Sequence, residues 1–306
     1  MTLRGPPEER TPADLLRFGV VNLDKPPGPS SHQVSGWIRD AVADALEGMG
    51  EPPITRAAHA GTLDPKVTGC LPIMLGDATR LAPVFLEGRK EYVAVLECHA
   101  PVPGDVESIA EEFEGPIYQK PPRKSAVSRR LRVREIDALD VLEARDRKVL
   151  LRIRCESGTY IRKLCHDLGL ALGTGAHMGH LRRTATEPFD DATLHTAHAL
   201  LDALAYWVED DDPEALYDVV EPGERILENV PSVTIAESAA REVANGAPVY
   251  APGVLEVDGV EYVENATEKP LVACYTPDWA AVCLGRLVGD PDAEEGTVVD
   301  LERVLV

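Results

Sequence analysis

The sequence predicts an α+β chain of two units, a larger mixed one followed by a small β-rich one. Three observations point there. Strand-like runs alternate with stretches of 3.6-residue apolar period over the first two-thirds of the chain. From about Asn229 the texture changes to short β-prone pieces with Gly and Pro turns. A length of 306 residues with 44% hydrophobic content supports two domains and a sizeable buried core.

Residues 1–17 are Pro- and charge-rich and read as an N-terminal arm. Phe18–Asp24 reads as a short strand, and KPPGPSS after it as a turn. Ser31 is placed to cap a helix whose apolar positions are Val34, Trp37, Ile38, Val42 and Leu46. HAGTLDP at 59–65 is turn-like and leads into the apolar stretch Val67–Leu75. Glu91–Cys98 and Val149–Cys155 alternate like strands, and Tyr160–Leu172 and Thr193–Trp207 read as helices. The acidic, Pro-containing stretch 209–224 reads as a linker. Val230–Ile235, Val254–Val257, Leu271–Tyr275 and Ala280–Leu287 are the β-prone pieces beyond it. The expected divisions are an arm at 1–17, a larger domain at 18–227 and a small domain at 228–306.

Charge first argues against a polyanionic partner. There are 31 Lys and Arg against 52 Asp and Glu, a net charge of −21. The distribution reverses that argument. Residues 1–115 carry 10 basic and 18 acidic side chains, residues 116–183 carry 16 and 7, and residues 184–306 carry 5 and 27. Lys120–Arg134 alone holds seven cations and no acid. The Debye length is about 8 Å at physiological salt, so a distant acidic surface hardly weakens a basic groove. Arg outnumbers Lys 23 to 8. An acidic, Lys-poor chain with ordinary core content suggests a salty cytoplasm.

No apolar run approaches the ~18 residues of a membrane span, so no membrane partner is expected. The start has no apolar segment of the signal-peptide kind. Six cysteines stand without a CxxC pair, which argues against a thiolate zinc site and for free thiols in a reducing compartment. His177/His180 and His195/His198 have metal-like spacing but lack an evident third ligand. No P-loop or GxGxxG is present, and no cofactor or metal is expected.

The most unusual segment is HAGTLDPKVTGCLP at 59–72. It places His59, Asp64 and Lys66 in one loop between Gly61 and Gly69. Gly61 and Pro65 shape a tight backbone, which is how a loop fixes the angle of a site residue. Together with Lys25-Pro-Pro-Gly-Pro-Ser-Ser31, the segment resembles motifs I and II of the TruB family of pseudouridine synthases. Lys90-Glu-Tyr92 is similar to the family's tyrosine motif, and Gly158-Thr-Tyr-Ile-Arg162 with Gly175-Ala-His177 and Leu181-Arg-Arg183 to motif III and its sequel. The stretch 117–135 is similar to the archaeal and eukaryotic guide-RNA-dependent branch, the dyskerin relatives. The tail resembles a PUA domain through Ala247–Gly253 and the strand Ala281–Leu287.

The resemblance implies a pseudouridine synthase fold with a curved, mixed, largely antiparallel sheet, and a small β-barrel PUA domain. It implies isomerisation of uridine to pseudouridine in RNA, either at tRNA position 55 or at rRNA sites chosen by box H/ACA guide RNA. In the second case small archaeal ribonucleoprotein proteins are the partners. A non-catalytic RNA scaffold is the alternative, and a glycoside hydrolase would need a second positioned carboxylate. By the same resemblance Asp64 is the catalytic carboxylate, Arg162 its partner, and Tyr92 the residue that stacks on the base and helps remove the C5 proton. An Arg within about 4–6 Å favours the charged carboxylate, and its fork fits one bidentately. His59, Tyr160, Leu181 and Lys25 are the substrate-binding candidates. Lys25, with Pro26, is expected to brace the Asp64 loop. The target uridine must be flipped out of its stack, at a cost of a few kcal/mol. Lys120, Arg123, Lys124, Arg129, Arg130, Arg132, Arg182 and Arg183 are then candidates for phosphate contacts.

Overall fold

The computed structural model describes residues 3–121, 128, 130–264 and 267–306. Its first ten strands are β1 (Gly19–Lys25), β2 (Ala57–His59), β3 (Thr68–Leu75), β4 (Lys90–Cys98), β5 (Gly115–Gln119), β6 (Arg132–Arg145), β7 (Lys148–Cys155), β8 (Ala176–Thr186), β9 (Phe189–Asp190) and β10 (Glu221–Pro222). They form one sheet in the order β10-β1-β3-β8-β4-β7-β6-β5, with β2 on β3 and β9 on β8. Among the described strand pairs of this sheet, β3–β8 is parallel and the others are antiparallel.

The helices are α1 (Pro12–Arg17), α2 (Ser31–Gly48), α3 (Val84–Glu87), α4 (Val106–Glu111), α5 (Ile161–Ala171), α6 (Ala197–Asp210), α7 (Glu214–Val219) and α8 (Glu237–Ala244). Ser30 caps α2, in a reciprocal capping box with Gln33. The predicted cap, Ser31, is instead fully buried inside the first turn. Val34, Ile38, Val42 and Leu46 of α2 fall on one face, as their spacing requires. They join Leu164 and Leu168 of α5 and Leu200, Leu204 and Trp207 of α6 in a core against the sheet.

The opposite face of β1 and β3 is buried as well. Val20, Cys70 and Met74 pack there with Phe18, Phe85, Phe189 and Ile226. Strands covered on both faces read as near-continuous apolar runs, as β3 does. β4 has a more open outer face and alternates between buried and half-buried residues.

The C-terminal unit holds β11 (Ser232–Ile235), β12 (Val249–Tyr250), β13 (Val254–Asp258), β14 (Leu271–Tyr275), β15 (Ala281–Leu287) and β16 (Thr297–Val304). These form a second, curled sheet in the order β12-β16-β15-β14-β11-β13, consistent with a PUA-like domain. Leu271, Ala273, Leu284 and Leu305 share the core of Phe18 and Met74, so the two sheets are joined by apolar contact.

Two sequence expectations change. The stretch 209–224 is not a linker: α7 lies within it, and Leu216, Val219 and Val220 are buried. Acidic exposed positions masked a short amphipathic helix. The arm is also structured. Leu3 packs on the core inside the C-terminal unit, beside residues such as Val233 and Val249, Arg4 donates to the Leu305 carbonyl, and Arg10 pairs with Glu224 at 2.7 Å.

Candidate active site

Asp64 sits on a loop fastened at both shoulders. Lys25, at the end of β1, is fully buried, and its Nζ donates to the carbonyls of Pro26, Pro65 and Val67 at 2.9, 3.1 and 2.9 Å. The Gly28 amide donates to the Pro65 carbonyl at 2.8 Å. Ser31 Oγ accepts from the Leu63 amide at 2.8 Å and donates to the Leu63 carbonyl at 3.0 Å. Buried polar groups need such partners, and here each partner is loop backbone. Lys25 therefore braces the loop, and being fully buried it does not act as a substrate contact.

The Asp64 carboxylate pairs with the Arg162 guanidinium, and both side chains are half exposed. Arg162 lies in the first turn of α5. The residue before that helix, Tyr160, is half-buried and gripped by Gln119: its amide donates to Oε1 at 2.8 Å, and its carbonyl accepts from Nε2 at 3.3 Å. Gln119 is almost fully buried at the end of β5. The basic run leaves the sheet just after Gln119 and returns at Arg132, directly opposite it in the β5–β6 register. Both ends of the run are thereby anchored beside Tyr160.

Behind the ion pair lies the β3–β8–β4 seam. Tyr92 is buried on β4, and burial pushes its phenol above the usual range, partly offset by the Arg183 guanidinium. Leu181 of β8 is half-buried and packs against the helical core. His59 ends β2; burial, Arg183 and His32 all hold its imidazole below the ordinary value, so it is neutral at neutral pH. Its Nδ1 is buried without a hydrogen-bond partner among the described residues. Gly69 has φ +98°, and a Cβ there would lie 2.2 Å from the Arg183 carbonyl oxygen. Only glycine lets the parallel strands approach so closely.

Family models match three parts of the chain. Residues 52–105 match "TruB family pseudouridylate synthase (N terminal domain)", residues 162–228 match "tRNA pseudouridylate synthase B C-terminal domain", and residues 5–35 match a "DKCLD (NUC011) domain". A protein of Halobacterium salinarum named "Probable tRNA pseudouridine synthase B" is 61% identical over 313 residues, covering 100% of each chain. The chain belongs to the TruB family. A TruB relative of the same name from Pyrococcus abyssi is 41% identical, covering 99% of this chain and 88% of its own. Among solved structures, one chain of a "Cbf5-Nop10-Gar1 Complex" superposes with TM-score 0.88 at 41% identity, covering 99% of this chain and 90% of that one. A chain of an "H/ACA RNP bound to a substrate RNA containing 2'-deoxyuridine" superposes with TM-score 0.87 at 40% identity, covering 99% and 90%.

The TruB matches enclose His59, Asp64 and Tyr92 in one segment and Arg162, Leu181, Arg182 and Arg183 in the other. The phosphate-contact candidates divide. Lys120 and Arg130 are exposed, Arg132 is half-buried, and Arg123, Lys124 and Arg129 lie outside the described residues. Arg182 is engaged by Asp24 at 3.0 Å. Arg183 is 1% exposed and cannot reach a phosphate, which corrects its assignment. The reason is strand parity: successive side chains of β8 point to opposite sides, so neighbouring arginines have different fates. Gln119 and Ser31 were missed as site-shaping residues. A polar residue at the junction of a strand and a charge run was the one signal for Gln119.

Proposed function

We propose that this chain isomerises uridine to pseudouridine in RNA, with Asp64 as the catalytic carboxylate. The observation that carries the reading is the Asp64–Arg162 pair, mounted on a clamped loop and a helix start beside the buried Tyr92. The reaction exchanges an N-glycosidic for a C-glycosidic bond on one ribose. It needs a carboxylate at C1′, an enclosed base, and removal of the C5 proton. In free protein the ion pair is half exposed and contributes only about 0–1 kcal/mol to stability. RNA entering the site would expel water and strengthen it where the charge is used. Neutral His59 and half-buried Tyr160 and Leu181 supply apolar and polar surface for a flipped base.

The chain acts within an H/ACA-type particle, with a guide RNA and small protein partners. The match over 99% of the chain to a subunit of such particles supports this. A second reading, a stand-alone enzyme on tRNA, is favoured by the names of the archaeal relatives. Its place is the cytoplasm, a reading supported by six buried free cysteines. The acidic surface fits high salt, and stability rising with KCl is the outcome that supports that fit.

A tritium-release assay on RNA labelled at C5 of uridine tests the function. Label should be released by wild type and not by Asp64→Asn, and full activity of Asp64→Asn would overturn the reading. Activity on a tRNA transcript without guide or partners would select the stand-alone branch.

A further inference from the structure

We propose that Arg183 is a positioning residue of the reaction, whose single buried guanidinium fastens the Asp64 loop and sets a positive charge beside Tyr92. The inference rests on the function proposed above and assigns a group to that site.

Register brings the pieces together. β8 lies between β3 and β4 in the sheet. Arg183 is opposite Gly69 across the parallel pair and opposite Tyr92 across the antiparallel pair. Its Nε donates to the Cys70 carbonyl at 2.7 Å, and its Nη2 donates to the carbonyls of Ala60 and Gly61 at 3.2 and 3.3 Å. Ala60 and Gly61 open the loop that carries Asp64. Tyr92 is its neighbour across the β4 pair, and the guanidinium acts on the phenol. One side chain therefore holds the loop of the catalytic carboxylate and sets a positive charge against the aromatic acid behind the base.

A purely structural role explains this poorly. Arg183 is 1% exposed, and its hydrogen-bond acceptors are carbonyl oxygens. Among the described residues no carboxylate forms an ion pair with it. Burying a charge without an opposite charge is costly. Arginine, however, carries five donors in a rigid fork and no acceptor. Two consequences follow for the site. The strand-to-loop angle at Gly61 is fixed by two hydrogen bonds. The positive charge favours the anionic form of the phenol, against the burial that disfavours it.

The surroundings of Tyr92 make Arg183 the group that sets its electrostatics. Cys155 of β7 and Cys70 of β3 also act on it, and burial pushes those thiols to about 12 and about 11, so both are neutral. Arg183 is the charged group among those that act on the phenol. Lysine at this position would keep the charge but could not span the Cys70 and loop carbonyls with a fork.

The test uses the full chain with its RNA substrate and any partners it requires. Arg183→Lys should lower kcat about 100-fold, as a misplacement of reacting groups does, with KM for RNA changed less than about threefold. The limb of the pH–rate profile that disappears in Tyr92→Phe should move to higher pH in Arg183→Lys. In a Tyr92→Phe background the same change should cost several-fold less, because the phenol that the charge acts on is already gone. Equal losses in both backgrounds, or an unmoved limb, would overturn the proposal. If Arg183→Lys does not fold, Arg183→Gln takes its place. Its loss of charge should move the limb to higher pH and speed exchange of the amides at 60–67 relative to wild type, and an unmoved limb with unchanged protection overturns the proposal. An active Asp64→Asn would instead sink the functional reading, while exchange at 60–67 in the Arg183 variant would still read the clamp.

Discussion

The front and the back of the site are built on opposite principles. At the front, Asp64 and Arg162 are half exposed and pair with each other. At the back, Lys25, Lys90 and Arg183 are buried cations held by backbone carbonyls. A front charge can be changed with little effect on folding, because water replaces what is lost. A back charge is part of the fold, because removing it strands several carbonyls at once. The chemistry is therefore kept where it costs little stability, and the scaffold beneath it is held by groups that RNA does not touch.

The largest separation of the two layers should come from Asp64→Asn. Activity should fall by more than about 10³-fold, as for loss of a nucleophile, while the melting temperature moves little. Tritium release and a thermal melt on the same preparation check both halves. A large loss of stability would place Asp64 in the scaffold instead. At the back, Lys25→Met should destabilise by about 3–5 kcal/mol, since three carbonyls lose their donor. Gly69→Ala should cost about 3 kcal/mol, from a 2.2 Å clash and an unfavourable φ. Chemical denaturation measures both, and a stable Gly69→Ala would mean the seam can open.

Much of the front was legible in the sequence, and much of the back was not. His59, Asp64 and Arg162 stand in the motifs that carry the family resemblance. The bracing role of Lys25 followed from the same motifs. Arg183 was misread because a basic pair looks like a surface until strand parity is known, and β8 carries too many polar residues to read as a strand. The β-prone pieces of the C-terminal unit matched β11, β13, β14 and β15 closely, because β14 and β15 are near-continuous buried runs bounded by turns. β16 escaped, since its buried Val298 and Val299 are followed by the charged Asp300, Glu302 and Arg303. α7 escaped because five acids, Glu209–Asp212 and Glu214, precede or begin it, and its buried face is only Leu216 and Val219.

A smaller effect should appear with pH. Burial pushes the Lys90 ammonium down to about 7, against an ordinary value of 10.5. The folded state then binds fewer protons than the unfolded state between those values. Stability should rise with pH across that window, as the unfolded chain loses its advantage in protonation. The cost of burying the charge is fully present below pH ~7 and at most about 5 kcal/mol. Lys90→Met should remove the rise, so wild type should gain stability relative to the variant from pH 7 to 9. A gap that stays constant would mean that Lys90 keeps its charge in the fold.

The smallest effect concerns the exposed cations that flank the site. Lys120 and Arg130 are exposed, whereas Arg182 is committed to Asp24. Each phosphate contact adds about 0.7–0.9 to the salt slope of RNA binding. Arg130→Gln should flatten that slope by roughly one such step, and Arg182→Gln by less, because its loss frees an Asp24 carboxylate rather than a counterion. Binding titrations over a range of KCl concentrations measure this. Equal slopes for wild type and Arg130→Gln would make that arginine a solvated face with no part in RNA recognition. A larger change at Arg182 than at Arg130 would move the front of the site inward, to the edge of β8.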